Sequence, residues 1–407
     1  MIPELLHSAW DIVGTLAVCA SLPGSLELLA LSAATLLPEP PAATPHDGQW
    51  CVAVVVPAHN ESANIDSCVR SLLSADPAGM QIGVFVVADN CTDDTAVIAS
   101  QTGANVLIRT SLTERGKGYA LHFAFTSLDA LGFDCMFVVD ADTVVASNFF
   151  AAAAGALRDG ADAVQVRYLV RNAEQAVRTR LMRLALFAWN VVRPLGRERL
   201  GLSVGLLGNG FGLRSQTLKS VPYLASSVVE DLEYHLTLVQ AGYRVRFINS
   251  TAVYGEIPVR GEGVKTQRSR WEGGRLRMIR DQSPRLLRGV LRGRHIFLEP
   301  LFELLLLPLA FHVTLLAIAT STPLPLVRDI GFAGIAVVLF HLSTAIIAGG
   351  GGWRDVGTLA VAPLYVLWKL LLIPSLLRSA STDQEWVRTK RNSELELADD
   401  ATSAAKQ

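Results

Sequence analysis

The sequence is short of charge and short of cysteine. Only 18% of its 407 residues are charged, against about 25% in an ordinary soluble chain. Half are hydrophobic, which excludes a disordered or collagen-like chain. The five cysteines, Cys19, Cys51, Cys68, Cys91 and Cys135, are scattered and form no CxxC pair. This argues against a disulfide scaffold or a cysteine zinc site and fits a reduced, cytosolic setting. The histidines show no HExxH spacing. With 36 Lys and Arg against 37 Asp and Glu, the net charge is -1, and no global basic excess points to a nucleic-acid partner. No basic n-region precedes the first apolar run, so that run does not read as a signal peptide.

Long hydrophobic runs are what the chain does have. Residues 10–37, 297–320, 330–348 and 356–377 each come near the length of a membrane span. Four such runs are hard to bury in one soluble domain, although buried core helices are the alternative. The last run carries Lys369, Pro363 and Pro374, so it is expected to be interfacial or re-entrant, after two full C-terminal spans. Basic residues dominate the stretch from Glu256 to His295, which reads as cytoplasmic by the positive-inside rule. Arg285, Arg288 and Arg292 share one helical face there, as an amphipathic helix on the inner leaflet would. The expected organisation is a membrane segment and linker over 1–48, a cytosolic domain over 49–282 and an amphipathic helix over 283–296. Membrane helices follow over 297–378 and a polar tail over 379–407. The protein is thus expected to be a multi-pass inner-membrane protein whose middle domain faces the cytosol.

That domain reads as strands alternating with helices. Strands are predicted over 51–56, 82–87, 104–108, 135–139 and 163–168. Helices are predicted over 62–73, 94–101, 116–131, 147–158 and 232–241. The alternation implies βαβ units and a mostly parallel sheet, Rossmann-like in kind. Ligands bind such sheets at the carboxyl ends of the strands. There stand Pro57, His59 and Glu61 after the first strand, Asp89 to Asp94 after the second, and Asp140-Ala141-Asp142 after the fourth.

Asp140 and Asp142 offer two hard oxygen ligands for Mg²⁺ or Mn²⁺, with a helix cap as the alternative reading. Asp89 suits a base or ribose, while Asp93 and Asp94 suit a helix start. Lys117, between two glycines at a helix start, suits a phosphate or is merely part of a flexible loop. Glu230 and Asp231 precede a helical pattern, with Asp231 either a helix-starting residue or a base. Gln267, Arg270 and Trp271 share one helical face, which could bind phosphate and stack on a sugar or could simply pack.

In order, Asp89, Asp140-Ala141-Asp142, Glu230-Asp231 and Gln267-x-x-Arg270-Trp271 resemble the D, DxD, ED and QxxRW elements of family 2 glycosyltransferases. The QxxRW element is typical of the membrane-embedded synthases of cellulose, chitin, hyaluronan and poly-N-acetylglucosamine. The resemblance covers about residues 50 to 295. It implies a GT-A fold, a UDP-sugar donor and Mg²⁺ or Mn²⁺ as cofactor. Pro57, His59, Glu61, Asp89, Lys117, Asp140 and Arg270 would then meet the donor, and Asp140 and Asp142 the metal. Glu230 and Asp231 would be catalytic, Asp231 as general base. Gln267, Trp271 and Asn209 would face the acceptor. Ala88 and Val229 depart from the family pattern, which often has Asp and Thr there. The activity implied is inverting transfer to a growing β-linked saccharide at the inner membrane face. The alternative is a single transfer to a lipid or lipid-linked acceptor. Expected partners are the donor, a saccharide or lipid-linked acceptor, membrane lipids, and export or accessory subunits, without nucleic acid.

Overall fold

A computed structural model describes the backbone of residues 2–38, 49–257 and 262–371, and their side chains apart from residues 2–7 and 262–272. The chain divides into two compact units. One is built on a sheet and takes residues 49–179 and 203–274; the other is helical and takes the N-terminal helix, residues 180–202 and the chain from Arg275 on. The expectation of one unbroken domain over 49–282 therefore meets a difference. Residues 180–202 group with the helices, because their helical face carries the buried Leu181, Leu184, Phe187 and Val191 rather than strand-like alternation.

In the sheet unit, the strands are β1 (Cys51–Ala58), β2 (Gln81–Asp89), β3 (Asn105–Arg109), β4 (Cys135–Val138), β5 (Thr143–Val145), β6 (Ala163–Val170), β7 (Phe211–Arg214) and β8 (Val245–Gly255). They form one sheet in the order β3-β2-β1-β4-β7-β6-β8-β5. β1, β2, β3 and β4 pair in parallel, as do β6 and β8. β7 runs antiparallel between β4 and β6, and β5 antiparallel on β8. The sheet is thus α/β as expected but mixed. Its parallel half follows from apolar runs buried on both faces, as Val52 to Val56 are, each fully inaccessible. β1 continues through Pro57 to Ala58, past its expected end. The pairing with β4 stops at Val55 and Val138, so the missing N–H of Pro57 breaks no ladder bond.

Helices Ile65–Ser74, Thr95–Thr102 and Lys117–Leu128 join the parallel strands. Phe137 of β4 meets Phe149 edge-on at 5.3 Å, and Phe149 meets Phe150 the same way at 5.3 Å. The parallel register puts Ala58 beside Ala88 and Val55 beside Val138, so the polar segments after β1, β2 and β4 come out at one edge.

Among the described residues, the helical unit holds two helices long and apolar enough to cross a membrane, Ser8–Ala34 and Pro325–Gly349. The expected run at 297–320 is instead two helices, His295–Leu305 and Leu309–Thr320, bent by 80°. Pro308 explains the break, since it cannot donate to the preceding turn. The last apolar run gives only the short helices Trp353–Thr358 and Ala362–Leu370, and residues 372–377 lie outside the described residues. The separate amphipathic helix expected over 283–296 is the end of one helix, Glu262–Leu291, with Pro284 inside it. Its exposed surface mixes Leu287 and Leu291 with Arg285, Arg288 and Arg292.

A buried ionic cluster ties this unit together. Arg197 pairs with Glu27 at 2.8 Å and with Glu299 and Glu303 at 3.2 Å each. The guanidinium groups of Arg193 and Arg275 stand over the Trp189 ring, 4.0 Å and 4.7 Å from its centroid. Arg275 also donates to the carbonyls of Glu303, in the last turn of the first helix, and Leu306, in the break. A broken helix in an apolar setting needs such a donor, because freed carbonyls there have no water.

Candidate active site

The site assembles at the carboxyl edge of the sheet, from turns that follow β1, β2 and β4 and from two loops between later elements. After β1, the chain turns sharply at Asn60, whose φ is 55°. His59 bonds the Asp89 carbonyl through Nδ1 at 2.8 Å. Glu61 is buried; its N–H donates to Thr95 Oγ1 at 2.8 Å and its carboxylate accepts from Asn64 at 3.0 Å. These contacts lock the β1 and β2 turns together. Asp93, rather than Asp94, accepts the N–H of Thr95 at the start of the next helix.

Asp89 was expected to face a base or ribose. In the structure it is buried and one oxygen is paired with Arg109 at 2.8 Å. Arg109 ends β3 and reaches back to Glu114, bonding its carbonyl at 2.8 Å and its carboxylate at 3.0 Å. Arg109 did not stand out in the sequence, since a single arginine at a strand end carries no pattern.

Lys117 sits nearer the centre of the site than a phosphate-binding loop alone requires. Its ammonium contacts the Asp140 carboxylate and the Gly208 carbonyl, the latter at 2.5 Å. Burial works against its charge. The carboxylates of Asp140, Glu230 and Asp231 outweigh burial and hold its pKa above the ordinary lysine value. Its helix packs tightly, since a Cβ on Gly118 would stand 2.1 Å from the Ala225 carbonyl. That fit seats the 225–229 loop, and with it the start of the helix Glu230–Gln240.

At that helix start, Glu230 and Asp231 face the Lys117 and Asp140 charges. Desolvation and the neighbouring Asp231 push Glu230 up to about 7. Desolvation likewise raises Asp231, opposed by its bond from the Leu232 N–H and by Lys117. The Gly208 backbone closes over Asp231: a Cβ there would stand 3.0 Å from Asp231 Oδ2, and φ at Gly208 is +77°.

Asp140 and Asp142 flank a tight turn in which the Thr143 N–H donates to the Asp140 carbonyl at 3.1 Å. Asn209, expected on the acceptor side, is 1% exposed. Its Oδ1 accepts from the Asp140 N–H at 3.1 Å and its Nδ2 donates to Thr143 Oγ1 at 2.9 Å. Thr143 and the fully buried Gln165 behind it were not singled out in the sequence. A lone amide in the apolar strand AVQVRY was the available signal, because a buried amide demands partners.

Among the described residues, no group of three or more His, Cys, Asp or Glu could hold a metal unaided. Asp140 and Asp142 can supply two oxygen ligands, and a hard cation would take its remaining ligands from phosphate and water, which fits the donor set. The backbone of Gln267, Arg270 and Trp271 lies in the helix Glu262–Leu291, and their side chains lie outside the described residues.

The model for "Glycosyltransferase like family 2" matches residues 48–274. The chain belongs to this family. It is 24% identical over 232 residues to the probable glycosyltransferase YdaM of Bacillus subtilis, covering 55% of this chain and 54% of that one. It is 28% identical over 238 residues to the beta-monoglucosyldiacylglycerol synthase of a Nostoc species, covering 56% of this chain and 50% of that one. The chain thus spans about half the length of these curated relatives. Its fold is similar to that of the mannosyltransferase PcManGT from Pyrobaculum calidifontis, solved with GDP-Man and Mn²⁺. That likeness has a TM-score of 0.51 at 17% identity and covers 85% of this chain and 99% of that one. It supports the GT-A-like architecture of the sheet unit.

Proposed function

We propose that this protein is an inverting glycosyltransferase that moves one sugar from a nucleotide-sugar donor to a lipid or lipid-linked acceptor at a membrane face. The observation that carries this reading is the opposition of two carboxyl groups with raised pKa, Glu230 and Asp231, to the Lys117–Asp140 pair across the Gly208 backbone. A base and a charge-compensated donor turn are what a single displacement at an anomeric carbon needs.

The Asp231 carboxylate takes the proton from the acceptor hydroxyl. The acceptor oxygen bonds the anomeric carbon as the bond from that carbon to the diphosphate oxygen breaks, and the nucleoside diphosphate leaves with the electron pair. Burial raises the basicity of Asp231, and the Asp231 charge in turn raises Glu230. Lys117 holds positive charge beside the donor turn. Asp140 and Asp142 would hold Mg²⁺ or Mn²⁺, which when bound neutralises diphosphate charge. Asp89, fixed by Arg109, borders the nucleotide side, along with Pro57, His59 and Glu61. Gln267, Arg270 and Trp271 keep their proposed places toward the leaving diphosphate and the acceptor.

Two features favour a lipid acceptor over a growing polymer. One relative is named for a glycolipid product, a beta-monoglucosyldiacylglycerol synthase. Among the described residues, the helical unit offers two apolar helices of spanning length, or three if the bent pair is one span, which suits an enzyme working at a membrane, where lipid acceptors lie. We place the sheet unit on the cytosolic side, with the basic, leucine-bearing face of Glu262–Leu291 at the leaflet.

The test is nucleoside diphosphate release by the full chain in nanodiscs, with a panel of nucleotide sugars, Mg²⁺ or Mn²⁺, and diacylglycerol or oligosaccharide as acceptor. Release that needs diacylglycerol and is lost in Asp231→Asn supports the reading. Release that needs only oligosaccharide overturns the lipid acceptor, and release that survives Asp231→Asn overturns the base.

A further inference from the structure

We infer that the buried amide of Asn209 is a positioning group that sets both carboxylates of the Asp140-Ala141-Asp142 turn for cation binding, and does not contact the acceptor. This rests on the transferase reading only for its consequence in turnover. The geometry stands by itself.

Asn209 grips the turn at both ends. Its Oδ1 accepts the backbone N–H of Asp140 at 3.1 Å. Its Nδ2 donates to Thr143 Oγ1 at 2.9 Å. The Thr143 hydroxyl in turn donates to Asp142 Oδ1 at 3.3 Å. One amide therefore fixes the backbone under the first carboxylate and, through a hydroxyl, the orientation of the second. Thr143 is fully buried and Asn209 nearly so, so neither amide nor hydroxyl has water to replace a lost partner.

Asn209 is itself held from behind. Gln165 Nε2 donates to the Asn209 carbonyl at 2.8 Å, and Gln165 Oε1 accepts the Leu207 N–H at 2.9 Å. Gly208 and Gly210, with φ of 77° and 68°, turn the loop so that the Asn209 side chain points inward. A Cβ on Gly210 would stand 2.8 Å from Val166 and Val253, so the loop lies close against β6 and β8 and leaves no room for a side chain there. The neighbouring Gly208 carbonyl takes the Lys117 ammonium, which also touches Asp140. The same short loop thus orders the Asp140–Thr143 turn on one side and closes over Asp231 on the other. Groups that orient ligating carboxylates typically change metal affinity by about 10–100-fold when removed.

The experiment is Mn²⁺ binding, followed by electron paramagnetic resonance on the full chain in nanodiscs with and without UDP. Asn209→Ala and Thr143→Val should each weaken Mn²⁺ binding in the presence of UDP by about tenfold. The double variant should be no worse than Asn209→Ala, because both cut one chain of bonds. Thr143→Ser, which keeps the hydroxyl, should bind as the parent does. Thermal midpoints measured alongside identify a variant that fails to fold, and Thr143→Val with its serine rescue then carries the test. Mn²⁺ binding within twofold of the parent in folded Asn209→Ala or Thr143→Val overturns the inference, as does full additivity in the double variant. Donor turnover by the parent separates the two claims: if Asn209→Ala loses Mn²⁺ affinity while no donor is turned over by the parent, the positioning role stands and the transferase reading fails.

Discussion

A carboxylate works as a base near neutral pH when its surroundings bring its proton affinity up to that range. Glu230 is pushed up to about 7 by desolvation and then by Asp231, and Asp231 is raised with it by desolvation. The two titrate as a pair, so the pH–rate profile reports the pair. Turnover should rise with pH as the pair loses its proton near 7. Glu230→Gln should move that midpoint to lower pH, since it removes the carboxyl that burial and the Asp231 charge push up to about 7. An unmoved midpoint would contradict the coupling. The same shift bears on stability. Between the ordinary glutamate value of 4.5 and about 7, the folded chain binds more protons at Glu230 than the unfolded chain does. Stability therefore falls as pH rises through that window and levels off above it. Thermal midpoints of the parent should show this decline, and Glu230→Gln should flatten it. Asp231→Asn should lower turnover by about 10²-fold or more while nucleotide binding, read by calorimetry, persists.

Elements place these residues, and their tight contacts are testable too. Alanine at position 208 would force a positive φ and stand against Asp231 Oδ2. The strain alone costs about 1–2 kcal/mol, and displacement of the base should lower kcat more than it alters the donor KM. A kcat within twofold of the parent would refute the claim that Gly208 seats Asp231. In the helical unit, Arg275 satisfies carbonyls freed at the bend before Leu309–Thr320. Burial and the neighbouring Arg193 lower its pKa to about 10, which still leaves a cation at neutral pH. Arg275→Ala should lower the thermal midpoint in detergent by several degrees, because it leaves Glu303 and those carbonyls short of a donor. Arg275→Lys should restore it only in part, having no planar fork. Much of this level was legible in the sequence. The strands β1, β2, β3, β4 and β6 and their helices lie within a few residues of their expected bounds, because apolar runs and helical periodicity are local. β5, β7 and β8 were not, since Thr-Val-Val and Phe-Gly-Leu-Arg are too short to show a period and Asn249-Ser250-Thr251 interrupts β8. The 80° bend was also missed, because a hydropathy run does not register direction.

Over the whole molecule, the DxD turn, the Glu230–Asp231 helix start and the Lys117 loop could be read from sequence because each is a short local pattern after a strand or before a helix. What holds them could not. Arg109 on Asp89, and Gln165 and Asn209 behind the Asp140–Thr143 turn, act across 20 to 69 positions of chain. Only the folded sheet brings them together. The membrane side divides in the same way: apolar length was evident, while the grouping of residues 180–202 with the helices depends on packing. The central claim is one transfer of sugar to a lipid by the site at Asp140, Asp142 and Asp231. It is tested most directly by supplying radiolabelled nucleotide sugar to the full chain in diacylglycerol-containing nanodiscs and following the label. The account predicts label in a single chloroform-extractable glycolipid, absent in Asp231→Asn. Label in a long product that stays in the aqueous phase, or glycolipid still formed by Asp231→Asn, would contradict it.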